Sequence, residues 1–565
     1  MTKGRLLFYA ALAMALTSMW LRAAYPTLGI WGSHDDALFV RLARAGRWLG
    51  GYDSLTLAKG AFFPIFLALN KVCGFPLKLL EHALYLLASL LAAHAIARVM
   101  ERRFLFLPAF TVLALSPLPW MIEGGSRVTR EPLYQTLSLA LVALAVLYFL
   151  AGRTRPRLGI GLGLVGGCYW LTREEGIWLM PALAVLVVFA LGRELKRSQR
   201  VDVAALKAAA RHVSMPLAGF MAVVLLVNSM NWLAYGVFRN NDFRSGPFAH
   251  AYGALARIKH DEWKRYVVFP RDARLRAYSV SPAARELEPF FEGEAGRGWA
   301  RIGRHHALPW GCAGRPEACN DEILSPWFVW ALRDAVTTAG HYRSAKEADA
   351  FYERLAAEID AACERETIPC RDARNTMAPV WRGHYTRDAL KASGDVLATL
   401  VGLGGGRIGV LPSDLTPEQT AIFRTVVHGP LSGIDDKSIA REGWKGQLNE
   451  WRDELTRGIA AGYASLSGPL FMFALASYLF VLVAWMAVKS PAVSKNAVAV
   501  STALLVAVLS RVGLLGFLEA TSIPSNNLLY LLPVVSIYLL FVVVAIATAG
   551  DALRTLVRGY RPRSS

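Results

Sequence analysis

The chain has 565 residues, of which 54% are hydrophobic and 19% are charged, and its mean hydropathy is +0.34. Soluble domains carry roughly 25% charged residues, so this composition excludes a wholly soluble protein and predicts a membrane protein. The formal net charge of +19 requires no nucleic-acid partner, because lysines and arginines beside apolar segments set membrane orientation and attract anionic lipids.

Ten apolar segments are close to the about 20 residues that a helix needs to span about 30 Å of hydrocarbon. They are 6–25, 76–99, 104–121, 132–151, 157–171, 174–191, 214–238, 467–488, 495–518 and 527–548. We therefore predict an α-helical polytopic membrane protein with about ten transmembrane helices. Its predicted parts are a membrane core at 1–238, a polar domain at 239–465, membrane helices at 466–549 and a basic cytoplasmic tail at 550–565.

Lysines and arginines are concentrated in alternate loops, which the positive-inside rule assigns to the cytoplasm. Both termini are therefore predicted to be cytoplasmic, and the polar segment 239–465 extracytoplasmic, in a protein of the cytoplasmic (inner) membrane. A cleaved signal peptide is the alternative for the first apolar segment, because it has a basic start and ends near the small residues Ala23 and Ala24.

The first predicted outer loop contains two adjacent acids, Asp35 and Asp36, before an amphipathic pattern at 37–49 that predicts an interfacial helix. One carboxylate would suffice to cap the helix N-terminus. The other acid and His34 then remain at the membrane edge, where uncompensated charge is costly and indicates function. Lys59 follows before a short apolar helix; its ammonium suits a lipid phosphate, or it is an ordinary snorkelling lysine.

The polar segment 239–465 is predicted to be a separate, mainly helical domain, because it is long enough to bury a core of its own. Within 344–365, apolar residues at helical spacing predict a helix with one buried face. These residues are Ala348, Phe351, Leu355, Ile359 and Ala362. The stretch 395–414 is apolar but broken by four glycines, and is predicted to be a turn or loop.

Four of the six cysteines lie in the polar segment, in two pairs with seven-residue spacing: Cys312 with Cys319, and Cys363 with Cys370. Local disulfides are predicted, although four cysteines permit three connectivities. A zinc site is the alternative, but zinc ligands usually come two to four residues apart. Disulfides imply an oxidising compartment, in agreement with the predicted extracytoplasmic location.

Charged residues inside apolar runs give further candidates. Arg511 lies within VAVLSRVGLLGFLEA, and an intramembrane arginine is a functional hypothesis by default. An ion pair with Glu131 or Glu519 is the structural alternative. Arg130 and Arg173 are the other cationic candidates, although two glutamates directly follow Arg173 and could neutralise it.

The order of these features resembles the membrane glycosyltransferases of the C-type (GT-C) fold, particularly the protein O-mannosyltransferase and lipid A aminoarabinose transferase branch. The acids of HDDALFVRLA match the acidic pair in that family's first outer loop, and Lys59 in LAKGAFFPIFLAL matches its lysine–proline segment. RVTREPLYQTL, LTREEGIWLMPAL and NNLLYLLPVVSIYL resemble the family's helix entrances. Tyr530 in the last of these, with His34 and Glu131, is assigned a supporting role.

The resemblance implies an inverting glycosyltransferase (class EC 2.4) that moves a sugar from a polyprenyl-phosphate carrier to an envelope glycan, lipid or protein acceptor on the outer face. Asp35 is expected to take the acceptor's proton, with Asp36 holding the helix start or a neighbouring arginine. The candidate phosphate ligands are Lys59, Arg130, Arg173 and Arg511. A lipid phosphate leaves as a stable anion and needs cationic stabilisation rather than an acid.

No motif requires a metal or other cofactor, although a divalent cation could bridge phosphate and acids. Two other classes of protein stay open. A polytopic transporter would also contain intramembrane charge, but such folds usually show internal repeats, and the sequence shows none. A membrane-anchored extracytoplasmic binding or assembly protein of envelope biogenesis would use segment 239–465 and would need no acids in the first loop.

Overall fold

The computed structural model describes residues 3–31, 35–45, 48, 51–116, 123–150, 155–198, 203–261, 264–306, 321–374, 376–406, 411–435, 443–488 and 494–559. Within these ranges the regular secondary structure is helical, with four isolated β-bridges and no strand. Three short 3₁₀ turns lie at Arg103–Leu105, Gly176–Leu179 and Leu403–Gly406. This confirms the all-helical fold class.

The helices are numbered here in chain order. The first ten are α1 (Lys3–Arg22), α2 (Asp35–Ala45), α3 (Phe62–Cys73), α4 (Leu77–Val99), α5 (Phe106–Ala114), α6 (Glu123–Ser126), α7 (Glu131–Leu150), α8 (Pro156–Thr172), α9 (Met180–Ser198) and α10 (Val203–Tyr235). The next seven are α11 (Pro247–Arg257), α12 (Arg271–Val280), α13 (Pro282–Glu286), α14 (Glu288–Phe291), α15 (Glu294–His306), α16 (Ser325–Thr338) and α17 (Ala345–Glu364). The last five are α18 (Tyr385–Val401), α19 (Pro417–Val427), α20 (Gly443–Val488), α21 (Lys495–Thr521) and α22 (Leu528–Gly559).

Eight of these helices are long and apolar enough to cross a membrane, namely α1, α4, α7, α9, α10, α20, α21 and α22. The chain is therefore a helical multi-pass membrane protein, as predicted. The two other predicted spans, 104–121 and 157–171, overlap with shorter helices, and residues 117–121 of the first lie outside the described ranges. Of these, α5 has nine residues and α8 has 17 residues.

Close packing of α8 on α10 depends on glycine. Gly159, Gly163 and Gly167 recur every four residues along one face of α8. A Cβ atom added to Gly163 would collide with the carbonyl oxygen of Pro216 on α10, and one added to Gly219 would collide with α8. Such spacing lets two backbones approach closely inside a membrane. The contact fixes the end of α8, where the charged residues described below begin.

Helices α11 to α17 form a second hydrophobic core, separate from the core of the apolar bundle. Within it the helix predicted over 344–365 is confirmed as α17. Its predicted apolar face is buried, since the residues on it are at most 3% exposed: Ala348, Phe351, Leu355, Ile359 and Ala362. At the end of α17, the sulfur atoms of Cys363 and Cys370 are bonded at 1.97 Å. Cys312 and Cys319 lie outside the described residues.

Helix α18 leaves this second core and packs against the apolar helix α21. Its residues Val396 and Leu400 belong to the core of the bundle, and a Cβ atom on Gly516 of α21 would collide with Ser393. The prediction of a turn or loop for 395–414 is therefore wrong for 395–401, which is helical because its apolar face is covered by α21. The turn itself follows in the 3₁₀ segment, where Gly404 and Gly405 have φ values of 62° and 69°.

Candidate active site

The residues predicted for the site are far apart in the sequence but lie together at one end of the helix bundle. They come from the start of α2, the loop before α3, the start of α7, the connection between α8 and α9, and helices α21 and α22. Those that the structure describes are Asp35, Asp36, Lys59, Arg130, Glu131, Arg173, Arg511 and Tyr530. His34 lies outside the described residues.

Asp35 is the first residue of α2, and 36% of its side chain is exposed. Its Oδ2 atom lies 3.5 Å from Lys59 Nζ. The same ammonium lies over the rings of Phe243 and Trp330, 5.8 and 5.3 Å from their centroids. Because Phe243 and Trp330 belong to the part of the chain that follows α10, Lys59 connects the α2 carboxylate to the second core.

The pKa of Asp35 is set by opposing effects. Burial would raise this pKa, but the positive charges of Lys59, Arg130 and Arg127 together outweigh burial and bring it below the ordinary aspartate value. Asp35 is therefore an ionised carboxylate at neutral pH, and part of it remains open to solvent. A carboxylate of this kind can accept a proton from a hydroxyl group that approaches it.

Asp36 is fully buried and has a different environment. Its Oδ2 accepts hydrogen bonds from Arg127 Nε at 3.1 Å and Arg127 Nη2 at 2.6 Å, and its Oδ1 accepts the Val128 N–H at 3.0 Å. Burial raises the pKa of Asp36, and Arg127 offsets part of this effect. The structure thus pairs Asp36 with a neighbouring arginine and ties α2 to the segment before α7.

Glu174 connects the Lys59 loop to the arginines. It accepts the Gly60 N–H at 3.3 Å and a hydrogen bond from Arg130 Nη1 at 3.0 Å. Burial would raise the pKa of Glu174, but Arg130 and Lys59 outweigh burial and lower it to about 2. Gly60 is required here because a Cβ atom would collide with the carbonyl oxygen of Leu171 at the end of α8.

Arg173 and Arg511 share the carboxylate of Glu175. The Oε1 atom of Glu175 lies 2.7 Å from Arg173 Nε and 3.5 Å from Arg511 Nη2. Arg173 also pairs with Glu131 through Nη1, and its guanidinium lies 5.0 Å from the ring centroid of Tyr530. The expected neutralisation of Arg173 by the following glutamates is therefore observed for Glu175.

Arg511 is fully buried within α21. Its Nε and Nη2 atoms donate to the carbonyl oxygen of Tyr530 at 3.0 and 2.6 Å. The alternative partners considered from the sequence, Glu131 and Glu519, do not fill this role in the described part of the chain. Glu519 instead accepts the Tyr266 hydroxyl at 3.0 Å. The ion-pair partner of Arg511 is Glu175.

Three buried arginine N–H groups of this cluster have no hydrogen bond among the described residues: Arg130 Nε, Arg173 Nε and Arg511 Nη1. Arg173 Nε lies 2.7 Å from the Glu175 carboxylate, which leaves Arg130 Nε, 4.0 Å from Glu131 Oε1, and Arg511 Nη1. Both side chains are at most 5% exposed. A buried donor without a partner is costly, by about 1–3 kcal/mol, and native structures contain few such groups. An acceptor for these two groups would have to come from outside the described residues.

A cleft of about 340 Å³ opens beside the cluster, between α2 and the helices α15 and α16. Within the described residues, Asp35 is the member of the charged cluster that lines it. The described residues contain no group of three or more histidine, cysteine, aspartate or glutamate side chains placed to hold a metal ion.

The sequence did not identify Arg127, although it lies within RVTREPLYQTL, one of the segments that carry the resemblance. The sequence marks Arg127 only weakly, because the segment contains two arginines. Only the contact with Asp36 in the folded protein distinguishes Arg127 from Arg130. Glu174 was considered only as a charge neutralising Arg173. Its contact with Arg130 and Gly60 depends on how the ends of α7 and α8 meet.

No family model, curated protein or solved structure matches the chain. The function is therefore inferred from the site's own geometry.

Proposed function

We propose that the protein is an inverting glycosyltransferase that moves a sugar from a polyprenyl-phosphate carrier to an acceptor at the outer face of the cytoplasmic membrane. One observation carries this proposal. An ionised, partly exposed carboxylate, Asp35, borders a cluster of buried arginines with N–H groups that make no hydrogen bond within the described part of the chain. The cluster lies at the end of a bundle of apolar helices, where a lipid-linked phosphate would be located.

The arginines and Lys59 supply what a phosphate leaving group needs. Guanidinium groups bind phosphate oxygens with charge-assisted hydrogen bonds. Arg130 Nε and Arg511 Nη1 would donate two such bonds, and Lys59 beside Asp35 would add a positive charge near the reacting carbon. Preorganised cations of this kind stabilise the negative charge that develops on the departing phosphate.

In the proposed reaction, one bond forms, one bond breaks and one proton is transferred to Asp35. The acceptor oxygen attacks the anomeric carbon and forms the new C–O bond, while its proton passes to Asp35. The bond between the anomeric carbon and the phosphate oxygen breaks, and its electron pair leaves with the polyprenyl phosphate. Because the acceptor enters opposite the leaving group, the anomeric configuration inverts. The lowered pKa of Asp35 suits a proton transfer that follows bond formation, when the acceptor oxygen has become acidic.

The directions in which α5 and α8 run support the ten-helix topology that this proposal assumes. At the end of the bundle opposite the site, Arg193 donates to the last carbonyl groups of α7, and Asn496 donates to Val99 at the end of α4. In the site, Arg130 donates to Thr172 at the end of α8. These contacts support a course in which α5 runs back toward the site between α4 and α7, and α8 runs back toward the site between α7 and α9. Ten crossings would place both termini opposite the site.

The proposal is tested with radiolabelled polyprenyl-phosphate sugars offered to the purified protein in detergent. Released polyprenyl phosphate and labelled product are measured by extraction and chromatography. We expect turnover with the lipid-linked donor and none with the corresponding sugar nucleotide. A protein that binds the donor without releasing polyprenyl phosphate in the presence of any envelope extract would instead fit a transporter or a binding protein.

A further inference from the structure

We propose that the cleft beside Asp35 is the acceptor site and that it takes a saccharide. This inference rests on the proposed transferase function for its role in the reaction, but the saccharide site itself can be tested without turnover. The cleft is lined by indole rings and charged side chains, together with the aliphatic side chains of Ala37, Leu38, Leu55 and Ile302. The rings are Trp31, Trp299 and Trp330, and the charged residues are Asp35, Arg41 and Asp334.

The cleft is built from both parts of the molecule. Trp31 precedes α2, and Asp35 and Arg41 lie on α2, beside the membrane bundle. Trp299 on α15, with Trp330 and Asp334 on α16, contributes the opposite wall from the second core. Its volume of about 340 Å³ lies within the about 300–1,000 Å³ that is usual for small-molecule sites.

The tryptophan rings are fixed before any ligand binds. Each has an aromatic neighbour, with centroid distances of 6.0 Å for Trp31 and Phe423, 6.3 Å for Trp299 and Trp327, and 5.3 Å for Trp330 and Phe243. Ring pairs at such distances are favourable. Because the walls are already held, a ligand would lose little affinity to ordering them.

Asp334 adds a second carboxylate to the cleft. It lies on α16 directly after the buried Arg333. Burial raises the pKa of Asp334, and the neighbouring Trp299 and Arg333 side chains offset part of this rise. Carboxylates accept hydrogen bonds only, so Asp35 and Asp334 together favour a ligand with several hydroxyl donors. Arg41, on the α2 wall, adds a donor for ring or hydroxyl oxygens.

A saccharide combines the two chemistries that the walls offer. A pyranose ring has a face of C–H bonds that packs on an indole and a rim of hydroxyl groups that donate to carboxylates. An extended peptide would need partners for its backbone, as in strand addition, and the described part of the chain provides no strand. A lipid chain would need walls without charges. The cleft therefore favours a sugar whose hydroxyl group reaches Asp35.

The inference is tested by calorimetry on the intact protein in lipid nanodiscs, with octyl β-glucoside, octyl α-mannoside and octyl β-galactoside as probes. At least one should bind in the millimolar range, and both Asp334→Asn and Trp299→Ala should weaken binding about tenfold or more, which corresponds to the loss of about 1.4 kcal/mol. Trp381→Ala is the matched control, because this exposed tryptophan packs on Phe517 outside the cleft. Asp334→Asn keeps the volume of the side chain, so it still tests the cleft if Trp299→Ala fails to fold.

Three outcomes of the binding experiments overturn the inference. They are binding of none of the three glycosides, equal weakening by the Trp381 control, and binding of a serine-rich peptide that Trp299→Ala abolishes. Failure of the transferase proposal would look different, since the glycosides would bind in the cleft while no donor released polyprenyl phosphate. If neither cleft variant changes turnover, the transferase proposal stands and the acceptor site is refuted.

Discussion

Asp36→Asn is expected to damage the fold, whereas we propose that its neighbour Asp35 acts in the reaction. Asp36 is 0% exposed and accepts two hydrogen bonds from Arg127. Removing one member of a buried ion pair strands the other charge and costs about 3–5 kcal/mol. Since whole domains are stable by about 5–15 kcal/mol, the loss should be a large part of the total.

Burial and the negative charge of Asp35 raise the pKa of Asp36, and Arg127 offsets part of this effect. The charged pair therefore adds little net stability compared with two neutral groups, in agreement with other buried pairs. We expect the double variant Asp36→Asn with Arg127→Gln to recover most of the stability lost by Asp36→Asn alone.

The assay is thermal unfolding of the purified variants in one detergent, followed by the loss of the monodisperse fraction. Asp53→Asn is the control, because Asp53 and Arg41 form an exposed pair at 3.6 Å, and such pairs contribute about 0–1 kcal/mol. If the double variant loses the sum of the two single losses, Asp36 and Arg127 are not coupled and the assignment of Asp36 as a positioning residue fails.

Three further predictions concern the donor, the base and the second core. Arg511→Leu should weaken polyprenyl-phosphate binding about 10- to 100-fold, the value of one hydrogen bond to a charged group; unchanged affinity would show that Arg511 is purely structural. Because cations lower the pKa of Asp35, the transfer rate should stay level as pH falls to about 4, the ordinary aspartate pKa. Removing a cation raises that pKa, so Lys59→Gln should move the decline to higher pH, and a decline that stays in place would count against Asp35 as the base. Cys363→Ser should lower stability by about 2 kcal/mol, the value for a short loop, and a reductant should destabilise the unmodified protein more than the variant, by about the same amount.

The features that the sequence predicted were those in which a residue conflicts with its local surroundings. Asp35 and Arg511 were recognised because charge is expensive beside or inside an apolar run. The helix α17 was predicted because its apolar residues repeat with helical period and occupy a core position. In each case the information lies within about twenty residues of the chain.

The features that were missed depend on contacts between distant segments. Arg127 and Glu174 are ordinary charged residues until folding brings them to Asp36 and Arg130. The glycines that follow residues 395–401 led to the prediction of a turn or loop there. The segment is helical because α21 covers its apolar face. Trp299 and Asp334 have no local pattern that marks them, since the cleft exists only where α15 and α16 face α2.

The central claim is that Asp35 takes the proton of the acceptor. Asp35→Asn keeps the size of the side chain but removes the basic carboxylate. The decisive measurement is single-turnover transfer by this variant with a verified donor and acceptor, together with donor affinity and thermal stability. We predict a rate about 10²- to 10⁴-fold lower, with affinity and stability nearly unchanged. A rate close to that of the unmodified protein would contradict the account, because the base would then have to lie elsewhere.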